Sequence, residues 1–458
     1  MIETLETITI KKSFDQQILT FLSQYKKNGE PIEVSFRELV PELTKIDRAT
    51  HLIHTYPAKL LMHIPYFFLN NNIFSKEGDT ILDPFSGSGT VMLEGILAGR
   101  NVIGADANPL ARLISSVKVR RYDPEILKNF LDLIKKGYKL SGEGVIPKVG
   151  NINFWFTPRI QADMAKILVI IENIADENIR DFFLVCFSNC VKKLSLADQR
   201  VSVPVRLNPN RYLTSHPFYS ETTKKLAGLE QISVFEKFEE SVSNNINRVA
   251  NLAPMISGKT TARIVSTDAR NLVSPTSEPN HVFEESVSLI ISSPPYAGAQ
   301  KYIRSSSLNL GWLNLLKDEN SLKTLDSYNI GRENYQKKDY CVLKYTNIPE
   351  ADALLKKIFE TNPLRAHIAG NYLREMQAAF KEAVKVLKKD GYFILIVANN
   401  KVCGQEFRTK EYLTVIMQKL GMKLELQLID DIKSYGLMTK RNKTASVITR
   451  EWVLVFKK

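Results

Sequence analysis

Apolar positions along this chain switch between helical and strand spacing, and the switches mark out its elements. Phe14, Ile18, Phe21, Leu22 and Tyr25 recur at helical spacing and predict a helix over residues 14–28. Residues 57–70 read as a second helix, opened by Pro57 at a first-turn position where the missing N–H costs nothing. The pattern then changes. DTILDPF is a short buried strand running into a turn, SGSGT is the turn, and VMLEGILAGR is a helix closed near Gly99. NVIGAD is the next strand and NPLARLISSVKV the next helix. Strand and helix alternating at this pitch predict right-handed βαβ units and a parallel sheet.

The alternation stops at about residue 124, and helices and loops run to about 260. Helical candidates there cover 159–174 and 179–194, followed by the basic loop LNPNRYLTSHPF. ARIVST and VSLIISS resume the strands, and a second irregular, polar stretch covers 300–365. A helix over 369–388, the strand GYFILIVAN, a helix over 409–420 and strands near 422–430 and 446–456 complete the chain. The last two strands lack a helical crossover and predict an antiparallel pair at one edge. The fold class is therefore α/β: a doubly wound, mostly parallel, Rossmann-like sheet with an antiparallel edge strand and a largely helical insertion. The expected division is an N-terminal helical extension (1–50), a catalytic domain (51–123 and 261–458), an insertion at 124–260, and a second one at 300–365. Ligands of such sheets bind beyond the carboxyl ends of the strands.

Composition narrows the partner. The chain has 458 residues and a net charge of +13, with a pI near 9.3. That balance favours a polyanion, because phosphates neutralised by Lys or Arg release counterions; a basic, soluble surface fits it as well. Cys186, Cys190, Cys341 and Cys403 form no CxxC pair and have no His at zinc-site spacing, so no structural metal or disulfide framework is expected. Cys186 and Cys190 should share a buried helix face. The start, MIETLETITIKK, reads as no signal peptide, and no run of about 18 apolar residues spans a membrane. A reducing cytoplasm fits.

The chemistry sits at the predicted strand ends. Asp83-Pro84-Phe85-Ser86-Gly87-Ser88-Gly89-Thr90 forms the first strand-to-helix turn, where Gly87 and Gly89 let backbone approach a ligand. A phosphate loop would end in Gly-Lys-Ser/Thr and a dinucleotide fingerprint needs a third glycine; both are missing. Asp83 would repel a pyrophosphate and suits a cationic ligand such as the sulfonium and ammonium of S-adenosylmethionine. Asp106 ends the next strand, where an acid accepts from ribose hydroxyls, and Asp268 follows the third strand, placed to accept from an adenine amine. Each acid alone also fits a helix cap or the surface. DPFSGSGT resembles the cofactor-binding motif of amino-methyltransferases acting on DNA. Upstream, His54-Thr55-Tyr56-Pro57-Ala58-Lys59 resembles the segment that packs against the methionine part of the cofactor in that family.

Ser293-Pro294-Pro295-Tyr296 follows the fourth strand and resembles the family's catalytic loop. An exocyclic amine is a poor nucleophile because its lone pair is delocalised into the ring. Ser293 Oγ and the Pro294 carbonyl suit acceptance from its N–H bonds, and two prolines stiffen the loop before the base arrives. Tyr296 offers a flat face to an extruded base. In the family, Ser at the head of this tetrad accompanies N4-cytosine modification, and Asp or Asn accompanies N6-adenine modification. The resemblance implies a site-specific methyltransferase acting on double-stranded DNA, paired with a restriction endonuclease. An adenine enzyme, an RNA amino-methyltransferase and a silent DNA-binding subunit are the alternatives.

Flipping a base requires a grip on the flanking phosphates. The candidates are Lys192, Lys193, Arg200, Arg206 and Arg211, then Lys301, Tyr302, Arg304, Arg332, Lys337 and Lys338, then Lys440, Arg441 and Lys443. The segment 124–260 is the expected target-recognition region. Asn399 and Asn400, at the end of GYFILIVAN, fit either the base pocket or a cap.

Overall fold

The computed structural model describes residues 5–44, 48–57, 59–140, 142–147, 149–256, 258–265, 268–273, 281–298, 302–316, 321–431 and 449–458. Its main sheet has eight strands: β1 (Ile32–Val34), β2 (Thr80–Asp83), β3 (Asn101–Gly104), β4 (Ala262–Ile264), β5 (Val287–Ser292), β6 (Leu387–Val397), β9 (Lys423–Asp431) and β10 (Arg450–Lys457). β7 (Asn400–Val402) and β8 (Gln405–Phe407) form a separate hairpin. The sheet order is β1-β9-β10-β6-β5-β2-β3-β4. β10 runs antiparallel between β9 and β6, and the other pairings are parallel. The α/β class, the parallel core and the antiparallel strand thus match the sequence reading.

Alternation within the strands divides the core into two layers. Leu289, Ile291, Ile394 and Ile396 face one side, where Phe14, Ile18, Phe67 and Phe68 of the N-terminal helices cover them. Ile290, Phe393 and Leu395 face the other, against Tyr372, Met376 and Phe380 of the helix Pro363–Val386. A further core joins the helix Pro109–Val119 to the helices of the 124–260 segment and to Trp312, which is fully buried. Among the described residues no helix is long and apolar enough to cross a membrane.

Several elements depart from the sequence reading. The helix expected over 57–70 occupies only His63–Leu69. The segment before it is drawn into side-chain contacts: Lys59 Nζ donates to the carbonyls of His51 and His54, and the Thr55 N–H donates to Asn189 Oδ1. The antiparallel pair does not end the sheet, because β1 adds itself parallel to β9; three residues are too few to announce a strand. The stretch 300–365 is not irregular throughout, since it holds the helices Tyr302–Trp312, Ser321–Tyr328 and Pro349–Thr361. The 124–260 segment adds Pro124–Leu140, Pro217–Gln231 and Val234–Leu252 to the two helices expected there. Cys186 and Cys190 are both buried on one helix, Glu177–Leu194.

Candidate active site

The chain runs from β2 outward to β3 and β4, then returns to β5 on the other side of β2. The carboxyl ends of β2 and β5 therefore flank the topological switch point, where open α/β sheets bind ligands. A hydrogen bond joins the two ends: Ser292 Oγ donates to Asp83 Oδ1 at 2.6 Å. The Phe85 N–H donates to the same oxygen at 3.1 Å. Asp83 is only 4% exposed. Burial outweighs these bonds and pushes its carboxyl up to about 7. Asp83 does not line the cleft. Ser292 and Phe85 hold the carboxylate inside the strand ends.

The two glycines of the turn do different work. Gly87, at φ +50°, lines the cleft, and a Cβ added there would meet nothing nearer than 4.0 Å. Gly89, at φ +76°, would bring a Cβ to 2.8 Å from Ser115 Cβ, so its role is helix packing and not ligand approach. Thr90 is buried at the start of the helix Thr90–Leu97, also away from the cleft. Asp106 lines the cleft and accepts the Gly87 N–H at 2.9 Å and the Asn108 N–H at 2.8 Å. Burial raises its pKa. Pro84 and Phe85 complete this wall.

The upstream segment divides in the same way. Tyr56 lines the cleft, and its hydroxyl accepts from Asn108 Nδ2 at 3.1 Å. Asn108 Nδ2 also donates to Ser306 Oγ at 3.1 Å, tying the turn after β3 to the helix Tyr302–Trp312. Pro57 does not reach the cleft, Lys59 is turned into its own loop, and Ala58 lies outside the described residues.

Across the cleft, Ser293 and Pro295 line the wall, with Pro294 buried behind them. The Tyr296 hydroxyl donates to Glu451 Oε1 at 3.2 Å, and burial raises its pKa well above the usual phenol range. Asn400 Nδ2 donates to the Ala297 carbonyl at 3.2 Å. Asn399 Oδ1 accepts the Lys410 N–H at 2.9 Å, in the first turn of the helix Thr409–Lys419. The two asparagines therefore brace the loop and a helix start.

Asp268 also lines the cleft, but Arg270 grips both its oxygens, with Nε 2.9 Å from Oδ1 and Nη2 2.8 Å from Oδ2. Arg270 and Arg332 converge on Glu375 Oε1 at 3.0 and 2.5 Å. Tyr302 closes one side, and Tyr328, Asn329 and Ile330 another. The last three were missed in the sequence because they fall in the stretch read as irregular. The available signal was Gly331, at φ +83°, where a Cβ would sit 2.8 Å from the Tyr296 carbonyl oxygen. The cavity encloses about 80 Å³ and opens to solvent.

The basic candidates separate into two groups. Lys192 donates to the Val201 carbonyl and Arg206 to the Phe154 carbonyl. Arg200 pairs with Asp198 at 2.7 Å and lies 4.2 Å over the Phe218 ring. These three are engaged within the protein. Lys193, Arg211, Arg304, Lys337 and Lys338 are exposed. Lys301, Lys440, Arg441 and Lys443 lie outside the described residues. Among the described residues no cluster of His, Cys, Asp or Glu could hold a metal ion.

Antiparallel β10 set into a parallel sheet, with this cleft at its switch point, is the doubly wound, Rossmann-like arrangement expected from the sequence. Residues 8–115 match the family model described as DNA methylase, of the N6/N4 type. Type II methyltransferase M.MvaI of Kocuria varians is 24% identical over 379 residues, covering 78% of this chain and 79% of that protein. Type II methyltransferase M.MjaII of Methanocaldococcus jannaschii is 36% identical over 102 residues, 22% of this chain and 19% of that protein. These matches bear out the resemblance to the DNA amino-methyltransferases of restriction–modification type. A solved SAM-dependent methyltransferase from Methanosarcina mazei, 10% identical, covers 84% of this chain and 94% of its own at a TM-score of 0.29, too loose to bear on the argument.

Proposed function

We propose that this chain methylates the exocyclic N4 of cytosine in duplex DNA, with S-adenosylmethionine as donor and the base swung out of the helix. The observation that carries the reading is one cavity lined by Gly87 and Asp106 on one side and by Ser293 and Pro295 on the other. The residues fit such a donor. Gly87 leaves backbone open, Asp106 offers a carboxylate to ribose hydroxyls, and Tyr56 and Phe85 add apolar surface. Asp268 is the weaker acceptor for an adenine amine, since Arg270 already draws on both its oxygens. The buried Asp83 carboxyl would gain from a cation nearby, which favours its ionised form.

When bound, the donor supplies a methyl group activated by a sulfonium. This chain's part is to prepare the amine. Ser293 Oγ and the Pro294 carbonyl accept from its N–H bonds, favour pyramidal nitrogen and free the lone pair. The prolines hold those acceptors in place beforehand, and Tyr296 stacks on the base. Residues 124–260 read the target, with Lys193, Arg211 and Arg304 on the phosphates. The names of the relatives support a role as the modification half of a restriction–modification pair, and the cytoplasm is the proposed place of action.

The test is mass spectrometry of nucleosides from amplified, hence unmethylated, duplex DNA incubated with the protein and labelled donor. N4-methylcytosine is expected. N6-methyladenine alone would move the reading to adenine, and label on tRNA or rRNA but not on duplex DNA would move it to RNA.

A further inference from the structure

Glu451 is out of place by the ordinary rules of strand composition. It is the second residue of β10, half-buried, and directly opposite Asp430 of β9. Asp430 is itself only 6% exposed. Two acids facing each other across a ladder repel, and desolvating them costs more; a β-branched residue would suit the position better. Burial and the Asp430 charge both raise the Glu451 pKa. What the carboxylate gains is the Tyr296 hydroxyl, 155 residues away in sequence.

The rest of the loop shows why this bond matters. The loop is held at both ends, by the Ser292 side chain on Asp83 and by Asn400 on the Ala297 carbonyl. Gly331 packs against the Tyr296 carbonyl. These contacts act on the loop at and beside Tyr296, whereas the Glu451 hydrogen bond acts on the far end of its ring.

We propose that Glu451 is a positioning residue that holds the Tyr296 ring in the plane needed to stack on the target base. The inference rests on the function proposed above, and its test separates the two.

Ring-carbon-labelled tyrosine NMR of the full chain, with Tyr296→Phe to assign the signal, reads the ring without any methyl transfer. The Tyr296 signal shifts in Glu451→Ala and returns in Glu451→Gln, whose amide oxygen still accepts. In turnover on amplified duplex DNA, Glu451→Ala lowers kcat by about tenfold and leaves KM for the donor within about twofold, as expected for one lost hydrogen bond at the reacting end. Glu451→Gln recovers most of the loss, and Glu451→Ala with Tyr296→Phe is no slower than either alone. An unmoved Tyr296 signal, an unrescued Glu451→Gln or additive losses would overturn the proposal. A shifted signal in a protein that methylates no DNA would uphold the tether and overturn the function.

Discussion

The two walls of the cleft are built by opposite means. The glycine-turn wall is local: Asp83 binds the Phe85 N–H, and Asp106 binds the N–H groups of Gly87 and Asn108, all within one strand–turn–helix–strand unit. The proline-loop wall is assembled from afar. Ser292 reaches back to Asp83, Tyr296 reaches forward to Glu451, Asn400 holds Ala297 and Gly331 packs on Tyr296. A local wall tolerates change elsewhere in the chain, whereas an assembled one is only as exact as its most distant brace. That division suits the proposed chemistry. Donor binding needs a constant shape, while the amine must be placed to within a fraction of an ångström.

The largest effects should come from the assembled wall. Ser293→Ala removes one acceptor from the amine, and kcat is expected to fall about 10²- to 10³-fold while donor affinity stays near that of the parent. Single-turnover kinetics with isothermal titration of the donor checks both; a loss of affinity in place of turnover would move Ser293 to the other wall. Gly331→Ala follows. The added Cβ meets the Tyr296 carbonyl oxygen at 2.8 Å in a backbone conformation that L residues rarely adopt. Displacing the loop should cost about 10²-fold in kcat. Gly87→Ala, with no such neighbour, should leave kcat much closer to the parent.

The same contrast explains what could be read from the sequence. The local wall was legible because turn, acids and strands lie in one stretch. Asp106 and Gly87 could be named, and both line the cleft. What the stretch could not reveal is which of its residues face outward: Asp83, Gly89 and Thr90 belong to the motif yet pack inside, a fact of side-chain direction and not of spacing. Asp268 was placed at the right strand end, but Arg270, two residues on, occupies it. The assembled wall was legible only at Ser293–Tyr296. Its braces depend on contacts between segments far apart, and periodicity carries no signal for those. The partners of the basic loop were illegible for a related reason, since Arg200 and Arg206 look free in a string of letters and are bound to Asp198 and Phe154 in space.

On the local wall the effects should be smaller and fall on binding. Asp106→Ala removes the ribose acceptor and the partner of the Gly87 N–H, and donor affinity is expected to drop about 10- to 100-fold with a lesser change in kcat. Asp83 gives a pH signature. Its carboxyl is raised from 3.8 to about 7 in the folded chain, so between those values the folded state holds a proton that the unfolded state has released. Stability attributable to this residue is present at low pH and lost as pH climbs through about 7. Asp83→Asn should therefore raise the melting temperature above pH 7 and flatten its pH dependence between pH 3.8 and about 7. It should also weaken donor binding most above pH 7, where the parent carboxylate is charged. A melting curve whose pH dependence is unchanged would show that Asp83 is not the group titrating.

The smallest effect lies outside both walls and sharpens where they end. Arg211 is exposed, whereas Arg200 is held by Asp198 and stacked on Phe218. If Arg211 touches a phosphate, Arg211→Ala lowers DNA affinity only a few-fold, about equally for all sequences, and reduces the slope of log affinity against log salt by about 0.9. Arg200→Ala should act differently, because its loss frees Asp198 and loosens the loop that follows. Thermal stability falls, and the salt slope changes little. Fluorescence anisotropy of a labelled duplex over a salt series, beside melting curves of the two variants, separates these outcomes. Equal slope changes in both would mean that Arg200 leaves its carboxylate for the DNA. The loop would then resemble the proline-loop wall, completed only when the substrate arrives.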